Sequence, residues 1–119
     1  MQTYGERRRE VLRDLDRLGA AQPEVMTAFG GMHAAAVADR TLSTATKELI
    51  ALALAVHARC DGCIAFHVAA AIEAGATRPE ISDALGVAVL MGGGPAAVYA
   101  GEAMAALDEL MPEPEPAAA

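Results

Sequence analysis

The chain has 119 residues, 54% of them hydrophobic, which gives room for one globular domain with a core and none for a second. Its formal net charge of -7 and pI near 4.8 disfavour nucleic acid or an anionic membrane as partner, because both require a basic face. Aromatic residues make up only 3%, with Tyr4, Phe29, Phe66 and Tyr99 as the whole set, so the core must be built from small and aliphatic side chains in closely packed helices.

The first helix starts at a capping box, in which Thr3 caps and Glu6 reaches back to it. Val11, Leu12, Leu15 and Leu18 then recur at helical spacing as far as Gly19, with Arg7, Arg8, Arg13, Asp14 and Arg17 outward, which predicts a core-facing amphipathic helix. The basic run Arg7-Arg8-Arg9 is diluted by Glu6 and Glu10 and reads as a solvated face. Pro23 suits the first turn of a second helix carrying Val25, Met26 and Phe29, and Gly30-Gly31 predicts a break or a close helix contact. His33 has no partner nearby in sequence and reads as structural.

Asp39 to Ser43 is a turn, with Ser43 or Thr44 as the next cap. The third helix, Ala45 to about Arg59, is apolar on nearly every face except at Lys47, Glu48 and His57. Such a helix is buried all round, either at the centre of the domain or under another subunit. Taken alone, Glu48 reads as a first-turn glutamate complementing the helix dipole.

The fourth helix holds Cys60-Asp61-Gly62-Cys63-Ile64-Ala65-Phe66-His67, continues through Val68 to Ile72 and stops at Gly75. Cysteines separated by two residues at a helix start can form a disulfide, and the helix N-terminus stabilises a thiolate there. His67 falls four residues after Cys63, hence on the same face and able to exchange a proton with the thiol. If the third and fourth helices form a hairpin with its corner near Arg59, the residue level with Glu48 is near Ala71, one turn from His67. Glu48 can then orient the imidazole, completing a nucleophile, base and orienter.

Other readings compete with this one. Cys60, Cys63, His67 and His57 have ligand-like spacing for zinc, but on one helix His57 and His67 would stand about 15 Å apart, too far for one tetrahedral ion. The cysteines can also be small buried hydrophobes, and His67 a satisfied core histidine.

Thr77 to Glu80 is a second capping box with proline in the first turn, opening a fifth helix with Ile81, Leu85, Val89 and Leu90. Gly92-Gly93-Gly94 is expected to end it. No lysine or hydroxyl residue follows at the spacing of a phosphate loop, and no strand precedes it. Pro95 opens a sixth helix through Val98, Tyr99, Met104 and Leu107 to Leu110, and residues 111–119 form a low-complexity tail. The expectation is an all-α domain of six helices over residues 1–110. The chain start lacks a cleavable signal pattern, and the longest apolar run, Leu49 to Val56, is too short to span a bilayer. The expected compartment is the cytoplasm, where a lone CxxC is more often redox-active than structural.

Four ordered blocks carry a resemblance over roughly Ala28 to Leu107. They are Lys47-Glu48-Leu49-Ile50-Ala51-Leu52-Ala53, then Cys60-Asp61-Gly62-Cys63-Ile64 with His67, then Ala74-Gly75-Ala76-Thr77 with Glu80-Ile81, and finally Gly93-Gly94-Pro95-Ala96. Together they resemble the alkylhydroperoxidase AhpD-like branch of the carboxymuconolactone decarboxylase family. The resemblance implies an all-helical fold assembling into trimers or hexamers and a peroxidase site without metal or cofactor. It further implies that Cys63 attacks the hydroperoxide, Cys60 resolves it as a disulfide, and Glu48 and His67 relay protons. The electron donor would be a dithiol, such as a lipoyl group or a thioredoxin-like protein. The family's peroxidase carries a further histidine between its cysteines where this chain has Gly62, and by spacing His57 is the candidate to replace it. The alternatives are a lactone decarboxylase, whose chemistry leaves the cysteine pair unexplained, and a non-enzymatic redox-sensing helical module.

Overall fold

The computed structural model describes residues 1–112, and every regular element among them is helical. In chain order these are α1 (Tyr4–Ala21), α2 (Pro23–Val37), α3 (Thr44–His57), α4 (Asp61–Glu73) and α5 (Arg78–Leu110). Both expected capping boxes are present, at Thr3 with Glu6 and at Thr77 with Glu80, and Ser43 caps α3 by accepting from the Thr46 N–H.

The core is made by α3, α4 and α5. Leu52 and Val56 from α3, Ile64 and Val68 from α4, and Ile81 and Leu107 from α5 are wholly buried against one another. Each contributes on the order of 2 kcal/mol through the apolar surface it removes from water. Alanines such as Ala71, Ala103 and Ala106 fill the remaining contacts, which lets the helix backbones approach closely. Two similar turns set the hairpin of α3 and α4 and its continuation. At the first, Arg59 adopts φ 57°, its N–H donates to the Val56 carbonyl and the next N–H, of Cys60, donates to the Ala55 carbonyl. At the second, Gly75 adopts φ 94° with the same pair of bonds, to Ile72 and from Ala76 to Ala71. Both satisfy the last carbonyls of a helix through a left-handed residue. The corner expected near Arg59 is therefore where the chain turns.

The structure has five elements where six helices were expected, because α5 holds two helices in one span, joined across a kink at the triple glycine. The reason lies in Gly93, whose φ of 67° and ψ of -147° leave helical geometry without ending the element. A straight helix of this length would span about 50 Å. Yet the Arg78 guanidinium at its start pairs with Asp108 and donates to the Met111 carbonyl at its end. The chain must double back at Gly93, and the expected fifth and sixth helices are the two arms of α5. By length and apolarity α5 is long enough to cross a membrane. Its arms of about 15 and about 17 residues fall short of the ~20 such a span needs.

α1 and α2 attach differently. Contrary to the expected core-facing stripe, no residue of α1 is fully buried, and Leu15 and Leu18 are exposed. Tyr4 packs against the core, and polar contacts add to the hold on α1. The Tyr4 and Gly5 N–H groups donate to the two carboxylate oxygens of Glu109, each at 2.8 Å, and Arg7 pairs with Asp61 at 3.3 Å. An anion at the free N–H groups of a helix start is favourable for the reason any N-cap is. α2 does not break at Gly30-Gly31 but continues to Val37, and a Cβ at either glycine would meet nothing within 4 Å. Glycine in a helix costs only about 1 kcal/mol, which does not end a helix that its neighbours support. Of the segment expected as a tail, 111–119, only Met111 and Pro112 lie within the described residues, and Met111 packs against the core.

Candidate active site

The site lies at the start of α4, where the hairpin corner delivers Cys60 as the N-cap. Cys60 and Cys63 are joined in a disulfide, with Cα atoms 5.2 Å apart. Cys60 Sγ also accepts the Cys63 N–H at 3.2 Å, an N-cap interaction made by sulfur in place of oxygen. In the reduced protein that N–H, with the dipole end of α4, favours thiolate at Cys60. Cys63 is the more exposed of the pair and opens onto a cleft.

His67 follows one turn later on the same face, and its Nδ1 lies 2.8 Å from Glu48 Oε2. A carboxylate only accepts, so Nδ1 carries the hydrogen, and in the neutral ring the lone pair is on Nε2. Glu48 is 2% exposed, and a buried carboxylate without a partner would be costly, so the imidazole and the carboxylate hold each other in place. The hairpin thus brings together the four residues expected from sequence, Glu48, Cys60, Cys63 and His67.

The cleft holds about 340 Å³, at the lower end of the roughly 300–1,000 Å³ usual for small-molecule sites. Cys63, Phe66 and His67 form its α4 wall, Val11 and Leu15 of α1 another, and Phe29 and His33 of α2 a third. The lining is mostly apolar. Sequence reasoning placed His33 as structural, but it stands in this cleft, with its ring 5.8 Å from that of Phe66 and 6.5 Å from that of His67. Phe29 and His33 are four residues apart and so share one face of α2. That pairing was the signal available in the sequence.

His57 does not join the cleft. It is exposed at the end of α3 and rests against Gly92, with Cδ2 3.3 Å from where a Cβ there would stand. Gly62 is buried beneath α1, and a Cβ at that position would fall 2.9 Å from Val11 Cγ2 and 3.3 Å from Arg7 Nη2. A histidine between the cysteines would therefore require the Val11 and Arg7 side chains to shift. Among the described residues no group of three or more His, Cys, Asp or Glu side chains is placed to hold a metal ion.

With this geometry in view, a profile of the carboxymuconolactone decarboxylase family matches residues 23–107. The chain belongs to the carboxymuconolactone decarboxylase family. A family protein from Legionella pneumophila, solved in its apo form, superposes with a TM-score of 0.87 at 42% identity, over 90% of this chain and 96% of that one. Another from Thermotoga maritima, for which a part in the antioxidative response has been suggested, gives 0.78 at 29% identity, over 87% and 88%. An uncharacterised protein of Cupriavidus necator is 46% identical over 101 residues, covering 85% of this chain and 89% of its own length. The all-helical fold and the paired cysteines fit the AhpD-like branch of the family.

Proposed function

We propose that the protein is a thiol-dependent peroxidase of the alkylhydroperoxidase type, reducing organic hydroperoxides with electrons from a dithiol. The observation that carries this reading is the buried Glu48 carboxylate bonded to His67 on the helix face that presents Cys63 to an apolar cleft. His67 Nε2 takes the proton of the Cys63 thiol, while Glu48 stabilises the imidazolium. The Cys63 thiolate attacks the terminal peroxide oxygen and the O–O bond breaks. Cys63 becomes a sulfenic acid, and the departing alkoxide takes the proton from His67 and leaves as an alcohol. The Cys60 thiolate then attacks the Cys63 sulfur, the disulfide forms, and the hydroxide that leaves is protonated to water. Two thiols and one hydroperoxide give a disulfide, an alcohol and water. The disulfide is returned to two thiols by exchange with a lipoyl group or a thioredoxin-like dithiol, oxidised in turn. The cytoplasm, where such donors are kept reduced, is the fitting compartment.

Replacing Glu48 by Gln keeps a good helix former and removes the charge that holds the imidazolium. Hydroperoxide consumption with a dithiol donor should fall on the order of 100-fold, with helicity unchanged. Glu48 lies beyond the first turn of α3, so the role of a dipole residue does not apply, and activity equal to wild type would leave it a structural partner of His67 and remove the proton relay from the mechanism.

The same reading includes assembly into a trimer or hexamer. Ile50 and Leu54 on α3, and Leu90, Met91 and Val98 on α5, stand exposed on the single chain, which favours cover by further copies. Light scattering at micromolar concentration should give at least three times the 12.2 kDa of one chain, and a monomer of full helicity would refute it.

A further inference from the structure

Asp61 stands between the two cysteines and brings a carboxylate to the start of α4, where a thiolate at Cys60 or Cys63 also places negative charge. Its Oδ1 accepts the Gly62 N–H at 2.8 Å, one of the free donors that a helix start offers to an anion. A like charge so near disfavours the thiolate, so Asp61 opposes the ionisation on which thiol chemistry depends. Arg7 of α1 meets that charge. Its Nη2 lies 3.3 Å from Asp61 Oδ1, and the guanidinium passes over Gly62, where a Cβ would fall 3.3 Å from Nη2 and 3.8 Å from Cζ. The missing side chain at position 62 thus gives the cation its place, and Nη1 steadies it by donating to Glu10 at 2.6 Å. The other groups nearby are acidic or neutral. Burial first, then the charges of Glu102, Asp61 and Glu109, raise the pKa of Tyr4, while the Glu48–His67 pair and the His33 ring stand on the cleft side.

We infer that Arg7 is a positioning residue for the cysteine pair, whose guanidinium, seated over Gly62, offsets the Asp61 carboxylate and so favours the thiolate form of the reduced CxxC turn. It acts through Asp61 and through its charge, without touching a substrate. The inference needs only that the Cys60–Cys63 disulfide can be reduced, so it does not rest on the peroxidase reading. It also gives Gly62 a role, since a side chain there would displace the cation. The two side chains of the pair are 28% and 62% exposed, so water and salt limit the effect to that of a surface ion pair.

The test is alkylation of the reduced full chain by iodoacetamide at neutral pH, followed by mass spectrometry at Cys60 and Cys63. The reagent is uncharged, so its rate reports thiolate and not attraction to the protein. Arg7→Gln should slow alkylation roughly threefold, the worth of one surface charge pair, and Asp61→Asn should speed it by a similar factor. The double variant should return close to wild type, Arg7→Lys should keep most of the wild-type rate, and high salt should shrink every difference. Since α1 buries no side chain fully, helicity by circular dichroism should be unchanged throughout. A purely structural role gives another pattern, because both single variants break the same bond and would move the rate the same way. Changes of like sign, or a wild-type rate in Arg7→Gln, overturn the inference, as does a disulfide that dithiothreitol cannot reduce.

Discussion

Among the described residues, α3, α4 and α5 with the turns joining them supply every buried hydrophobic side chain, whereas α1 and α2 supply none. The first region is held by interlocked apolar packing that tolerates little movement. In the second, α1 is held by ion pairs and helix-end hydrogen bonds with Tyr4 against the core, and α2 by the His33 ring against Phe66 and a hydrogen bond from Thr44 to its last carbonyl; exposed ion pairs are individually weak. The division follows the chemistry of the site. Glu48, Cys60, Cys63 and His67, to which the proposed mechanism gives the proton and sulfur transfers, all sit on the packed hairpin. The cleft walls formed by Val11, Leu15, Phe29 and His33 come from α1 and α2. The paired cysteines and the Glu48–His67 bond thus lie where apolar packing is densest, and the rest of the cleft lining lies on the two helices that bury no side chain fully.

The comparison breaks most visibly in the packed region. Leu52→Ala removes a wholly buried side chain and should cost about 2–5 kcal/mol in denaturant unfolding, a large share of what a domain of this size has. A loss below about 1 kcal/mol would mean that α3 is not the centre of the core. Glu109→Ala should act more gently on the other region. It deletes the acceptor of the Tyr4 and Gly5 N–H groups and should cost about 1 kcal/mol. Its signature is local, with faster amide hydrogen exchange over residues 4–21 and unchanged protection in α3 and α4. Uniform loss of protection along the chain would show that α1 unfolds only with the core, and the division into two regions would fall.

How much of this was legible in the sequence follows the same division. Thr3 with Glu6, Thr77 with Glu80, the Cys60 helix start and the glycine stop at Gly75 are local signals, and each stands where the sequence placed it. The approach of Glu48 to His67 was legible too, because a tight hairpin leaves one register once its corner is known. Periodicity in α1 showed that Val11, Leu12, Leu15 and Leu18 share a face, but a stripe does not say what covers it, and here it borders a cleft instead of entering the core. His33 was read as structural because its neighbours Phe66 and His67 are far along the chain, and only the packing of α2 across α4 brings them together. The triple glycine was expected to end one helix and Pro95 to open the next, and the kink at Gly93 falls between those two arms of α5.

A single-turnover experiment addresses the central claim, that this hairpin reduces hydroperoxides through its two cysteines. Fully reduced protein, without oxygen or donor, receives one equivalent of cumene hydroperoxide, and alcohol, free thiol and protein mass are measured together. The account predicts one alcohol formed for two thiols lost, a Cys60–Cys63 disulfide as the product, and neither change in Cys63→Ser. Retention of both thiols with the hydroperoxide unconsumed, or consumption that persists in Cys63→Ser, would contradict it.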